Sequence, residues 1–367
     1  MTDTSVAYKC PNCGGPLEFK PGASQVVCPY CDTQLDVAQV EALFARQQER
    51  AAAAQEAKEE RWNTEMAGKE WSTEEAAILK AFTCSACGAE IVCDENTLAT
   101  ECCYCGNPTM MPNRFGGMLK PDYVIPFQKT KEDAVAALKE FYKGKRLLPA
   151  AFTANNRVED IQPMYVPFWL FDSTVHASAD FKGEDDNVME TSDEIITETR
   201  VFQCIRSGRM SFHKIPVDGS SKMDDTYMES IEPFDYSQMV PFSPAYLTGF
   251  LADKYDVDAE ASVPRADERV ERSAVGVLEE TVRGYDRKTL QDSVVRKDED
   301  QVAYALAPVW ILTTRYQDKP YTFMLNGQTG KMVGTLPYDN QKSLMYMGAL
   351  AAILTPVLYF VAKMFLT

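Results

Sequence analysis

The sequence predicts an α+β protein built in pieces: two small zinc ribbons joined by a helical linker, a central β-rich α+β domain, and one C-terminal transmembrane helix. Three observations predict it. Four C-x2-C pairs fall before residue 106, strand-like apolar runs dominate residues 118–340, and nineteen uncharged residues run from Leu344 to Ala362 between Lys342 and Lys363. With 367 residues, 45% hydrophobic and 25% charged, the chain is long enough for two or three domains, and low-complexity disorder and collagen are disfavoured.

The first ribbon is expected over residues 1–36, with small strands near Leu17 to Lys20 and Gln25 to Val27. So short a piece has too little apolar surface to fold alone and needs a metal to hold it. Residues 37–80 form the linker. Val37, Val40, Leu43 and Phe44 mark one helical face, whereas Ala51 to Glu60 is rich in helix formers with nothing to bury and reads as a solvated spacer. Ser72 and Glu75 match a capping box ahead of a short helix over Ala76 to Phe82. The second ribbon is expected over residues 81–117.

In the central domain, residues 118–340, Thr130 and Asp133 announce a helix carrying Ala134, Leu138, Phe141 and Tyr142, with Gly144 as its stop. Strands are expected at Met164 to Phe171, Glu194 to Arg206, Met210 to Val217, Val302 to Tyr316, Tyr321 to Leu325 and Lys331 to Leu336. Between them Val270, Ala274, Leu278 and Val282 repeat every four residues, which predicts a helix from Ala266 to Arg283. Pro167-Phe-Trp169 and Pro308-Val-Trp310 echo one another and hint at two related sheet units. The acidic runs Glu184 to Asp186 and Asp298 to Asp300 read as solvated loops. Residues 344–362 span about 31 Å from lysine to lysine at about 1.5 Å per residue, near the thickness of a bilayer's hydrocarbon. With four residues after Lys363, this helix is expected to insert tail-first, as a single-pass anchor that leaves the bulk of the chain cytoplasmic.

Ten of the eleven cysteines precede residue 106, and Met1 to Lys9 shows no secretory pattern, so thiols in a reducing compartment are expected rather than disulfides. Cys10, Cys13, Cys28 and Cys31 form one set, and Cys84, Cys87, Cys102 and Cys105 another. In each, fourteen residues separate the two pairs. Two C-x2-C knuckles brought together by a hairpin make a tetrahedral four-thiolate site, which suits two structural Zn²⁺ ions, with iron as the alternative metal. A thioredoxin-like redox pair is the competing reading, but it would use one pair rather than matched twos. Gly14, Gly15, Gly88 and Gly106 stand just after the knuckles, where positive φ is needed. Cys93, Cys103 and Cys204 are left as spare thiols or small core residues.

Residues 1–117 hold nine Lys/Arg against seventeen Asp/Glu, a net of −8. Each four-thiolate zinc adds about −2, counting four thiolates against one divalent ion. Such a surface repels phosphate and favours protein partners over nucleic acid. No catalytic constellation stands out. His176 and His213 lack a metal or base motif, and Asn326 to Lys331 lacks the spacing of a phosphate loop and reads as a hairpin turn.

The phrases CPNCGG and CPYC, CSACGAE with CCYCGN, then VIPF, YVPFWLFD, IEPFDY to PFSPAYLTGF, and APVWIL with LNGQTGKMVG resemble a family of bacterial membrane-tethered proteins. These carry two zinc ribbons of the transcription-factor-IIB type and are often labelled primosomal-helicase-like. The chain departs from that label, having no Walker motif and no room for motor domains. It also has Cys103 where the equivalent knuckle usually carries proline. The resemblance implies zinc ligation at the eight cysteines named above and association with phage-shock-protein-A-like or flotillin-like proteins. The expected function is therefore a non-enzymatic, tail-anchored zinc-ribbon membrane adaptor that recruits or anchors envelope-stress or membrane-scaffold proteins. A membrane-tethered nucleic-acid-binding ribbon protein and an enzyme with an unrecognised site in residues 118–340 are the alternatives.

Overall fold

The computed structural model describes residues 10, 17–19, 25–42, 45, 62–97, 101–155, 158–190, 194–317 and 319–366. The spacer over residues 51–60, Cys13, Gly14 and Gly15 lie outside the described residues. The chain divides into two compact units, one of Met1–Asn63, Phe171–Ile215 and Val263–Gln301, the other of Thr64–Leu170, Pro216–Ser262 and Val302–Thr367.

In the first unit, β1 (Glu18–Phe19), β2 (Gln25–Val27) and β3 (Gln34–Asp36) form a three-stranded antiparallel sheet, followed by a helical run over residues 37–42. The same unit holds most of a helix, α5 (Ala259–Glu280), whose Ala266, Val270, Ala274 and Leu278 are buried at the four-residue spacing. Trp62 packs edge-on against Phe171 at 4.9 Å and donates its indole N–H to Asp267 at 2.7 Å. Lys297 sits 2.8 Å from that carboxylate and over the indole. The acidic run at Glu184 to Asp186 is strand rather than loop, because Arg287 bridges Glu184 and Asp186. The run from Asp298 to Asp300 is strand as well.

The large sheet is mixed and eleven-stranded, with the order β10-β7-β12-β8-β11-β5-β4-β6; β9 pairs with β8, and β13 joins β12 to β14. Its members are β4 (Leu79–Cys84), β5 (Glu90–Asp94), β6 (Met110–Asn113), β7 (Tyr123–Val124), β8 (Gln162–Glu190), β9 (Ile195–Asp218), β10 (Val240–Pro241), β11 (Leu251–Asp253), β12 (Arg287–Tyr316), β13 (Lys319–Asn326) and β14 (Met332–Gly334). Both capping boxes form. Ser72 starts α1 (Thr73–Ala77), which stops early because Leu79, Ala81 and Phe82 are buried in β4. Thr130 starts α2 (Lys131–Tyr142), Gly144 follows it at φ +74°, and two short helices, α3 (Ala150–Asn155) and α4 (Asp225–Ile231), come before α5.

The echoed Pro-x-Trp segments occupy equivalent places in the second unit. Parallel pairing sets β7 beside β12, with Val124 opposite Leu306, and β11 beside β8, with Ala252 opposite Tyr165. Beyond β7, Gln128 and Lys129 donate to the Gly327 carbonyl while Gly327 N–H donates to Pro308. Beyond β11, Asp256 and Val257 donate to the Gly219 carbonyl while Gly219 N–H donates to Pro167. Trp310 donates to the Lys129 carbonyl and Trp169 to the Val257 carbonyl, each at 2.9 Å. Phe127 meets Trp310 as Tyr255 meets Trp169. Thr130 caps α2 and Asp258 caps α5 through the third residue on. One design is used twice.

Two expectations are corrected. The fold is mostly sheet rather than a set of separate α+β pieces: the strands at the second cysteine cluster belong to the large sheet, where β5 pairs with β11. Residues 340–366 do form a helix, α6 (Asn340–Leu366), but among the described residues no helix is long and apolar enough to cross a membrane. Its polar first turn is tied to protein, with Lys342 donating to the Leu148 carbonyl at 2.7 Å. The transmembrane span at 344–362, the tail anchor and the membrane localisation built on it are therefore withdrawn.

A Cβ on Gly327 would stand 2.7 Å from the Phe127 ring and 2.9 Å from Pro308. Gly327→Ala is expected to destabilise the protein by about 1–3 kcal/mol in urea unfolding, the usual cost of overpacking.

Candidate metal centres

The knuckles arise from a repeated backbone turn. Cys84 N–H donates to the Ala89 carbonyl at 2.9 Å and Gly88 N–H returns to the Cys84 carbonyl at 3.0 Å. Cys102 repeats this with Asn107 at 2.9 Å and Gly106 at 2.8 Å, and Cys28 with Thr33 at 2.9 Å and Asp32 at 3.0 Å. The residue returning to the cysteine carbonyl must take positive φ. Gly88 and Gly106 do so at +72° and +66°, and in the first cluster Asp32 takes the place of glycine at +54°.

These turns bring the sulfurs of Cys84, Cys87, Cys102 and Cys105 within 4.8 Å of one another, and likewise those of Cys10, Cys28 and Cys31. Cys13 lies outside the described residues. The Cys84 to Cys105, Cys87 to Cys102 and Cys10 to Cys31 sulfurs stand 3.7, 3.6 and 3.6 Å apart. A disulfide would require about 2.05 Å. A tetrahedron with metal–sulfur bonds of about 2.3 Å has edges of about 3.8 Å, so the spacing fits a four-thiolate metal site. Both clusters can hold a metal ion.

The first cysteine of each knuckle in the second cluster is the readier to ionise. Burial works against Cys84, but backbone amides of Cys87 and Ala86 outweigh it and bring the thiol below its ordinary value. Cys102 is pushed down to about 4, chiefly by the Cys103 thiol beside it and then by the amides of Cys105 and Tyr104. Burial raises Cys87 and Cys105. Asn107 adds a side-chain N–H 3.8 Å from the Cys84 sulfur.

Cys103 does not join the cluster. Its thiol points to the Met164 sulfur at 3.8 Å inside the main core, and its carbonyl accepts from Thr313 at 2.6 Å. Tyr104 donates to the same methionine at 3.3 Å. The two residues between Cys102 and Cys105 thus clamp this knuckle to β8 and β12, a role that sequence spacing alone does not reveal. Cys93 is buried with its thiol on the Thr97 carbonyl, and burial raises it to about 11. Cys204 is buried on β9. His176 and His213 lie on β8 and β9 and belong to neither cluster.

Cys84→Ser or Cys102→Ser is expected to lose one bound metal equivalent by elemental analysis, whereas Cys103→Ala keeps it and loses stability instead. Dialysis against a strong chelator is expected to lower the melting temperature, since binding that needs the folded site is folding free energy.

No protein-family model matches the chain, and no solved structure matches it. It is similar to the uncharacterized protein YdjG of Bacillus subtilis (strain 168), with 31% identity over 346 residues that cover 94% of each chain. A likeness of that extent places this chain in the same family as YdjG.

Proposed function

We propose that the chain is a non-enzymatic zinc-ribbon adaptor. Two structural Zn²⁺ ions, one held by Cys10, Cys13, Cys28 and Cys31 and the other by Cys84, Cys87, Cys102 and Cys105, stabilise ribbons of the transcription-factor-IIB type that present a surface to protein partners. The observation that carries this reading is the second cluster, where four cysteine sulfurs lie within 4.8 Å of one another, enough to supply every ligand of a tetrahedral ion. Such a site leaves no open position for water or substrate and acts through folding rather than chemistry. The acidic balance of residues 1–117 supports protein partners over nucleic acid. The family resemblance suggests phage-shock-protein-A-like or flotillin-like proteins as those partners.

The test is to purify the full chain, count its metal and titrate it with a purified phage-shock-protein-A-like protein and, separately, a flotillin-like protein. Two zinc ions per chain, and binding to one of these that disappears in Cys84→Ser and in Cys28→Ser, are the expected results. Iron in place of zinc, or salt-dependent binding of duplex DNA with no binding to either protein, would sink the reading.

A further inference from the structure

β9, whose residues 195–215 belong to the first unit, is the outer strand there: among the described residues it pairs with β8 alone. Thr199 and Gln203 donate to Asp186 and Asp180 of β8 at 2.6 Å each, which fastens one side of the strand. The other side is a strand edge. Edges of this kind present unpaired amides and carbonyls and are normally blunted by proline, lysine or a bulge.

β9 has those devices at its inner end only. Lys214 takes a positive φ of 58° and gives its N–H to Asp172, and Pro216 follows two residues on. Residues 195–203, Ile-Ile-Thr-Glu-Thr-Arg-Val-Phe-Gln, hold neither lysine nor proline. Ile195 is 71% exposed there, and Ile196, Val201 and Phe202 are 44, 41 and 42% exposed. So apolar an edge is a template for pairing with another chain.

Charge selects a second copy of the same strand as that chain. The protein carries a net −17, so two copies repel in general, yet residues 195–203 hold one Glu and one Arg and are neutral. Glu198 and Arg200 share one face, 3.7 Å from each other. A two-fold axis through Thr199, perpendicular to the sheet, sets two β9 strands antiparallel. Glu198 of each copy then lies opposite Arg200 of the other, Ile196 opposite Phe202, and Thr197 opposite Val201. Moving the axis by one residue sets Glu198 against Glu198 or Arg200 against Arg200, which repel. An acidic or a basic peptide finds no net charge on this edge to match.

We propose that residues 195–203 of β9 form an isologous antiparallel interface with a second copy of this chain, centred on Thr199. The adaptor reading neither requires nor forbids such a dimer.

The test is sedimentation equilibrium of the full, metal-loaded chain between about 1 and about 500 µM. The seam is short, so a dimer with a Kd of about 1–100 µM is expected. Glu198→Arg and Arg200→Glu each place like charges across the axis and are expected to weaken the dimer at least about tenfold. Both side chains are more than half exposed, so the melting temperature is expected to hold. Mixing the two variants restores opposite charges at both positions and is expected to return a dimer of mixed composition. A chain that stays monomeric throughout would overturn the proposal and leave this edge to an extended segment of a different protein. A dimer indifferent to both variants, or one lost in both and not regained on mixing, would overturn it as well.

Discussion

The second unit depends on a glycine pressed against a proline. At Gly327 and again at Gly219 the chain passes so close to a long strand that the glycine N–H bonds the proline carbonyl, while the glycine's own carbonyl accepts two successive amides from the segment leading into a helix. Three backbone bonds converge at each glycine; at Gly327 a Cβ would collide with Phe127 and Pro308, and at Gly219 it would press on Trp169 at 3.1 Å. The clasp fixes where β7 and β11 end and where their helices begin, and it brings each tryptophan N–H onto the carbonyl just before a helix cap. Remove the close approach and the parallel pairings of β7 with β12 and β11 with β8 lose their alignment, since both strands are only two or three residues long.

Much of this was visible in the amino-acid string, though unevenly. Thr130 with Asp133 and Ser72 with Glu75 announce their helices because capping is a local interaction that a few neighbouring residues decide. The Pro-x-Trp echo shows through because both copies bury the same indole in the same way. The rest of the duplication is hidden: Ile125-Pro-Phe127 and Asp253-Lys-Tyr255 share a backbone path but little chemistry, and nothing in composition relates them. Strand length was also illegible. β8 and β12 continue far past their apolar cores into charged stretches, held by cross-strand pairs such as Arg287 with Asp186 that no periodicity records.

The cysteines illustrate the same division. Spacing suffices to group Cys84, Cys87, Cys102 and Cys105, because a C-x2-C turn is a local geometry. Glycine counting misses the first cluster's Asp32, which adopts positive φ without being glycine, as short polar side chains are able to do. The sequence departs from a common knuckle at Cys103 for a tertiary reason: that side chain is buried against Met164 on another strand. The apolar stretch at the C-terminus misled for the converse reason, since hydropathy records what a segment is made of and not what its first turn is fastened to.

The position of the second cluster in the sheet has a consequence for what happens without an ion. β5 closes the flank of β11, and β4 and β6 continue outward from it, so a finger folded around four thiolates forms the border of an eleven-stranded sheet. An ion held by those thiolates would fasten that border, and without the finger the amides and carbonyls of β11 would be the edge that is left to pair with an extended chain.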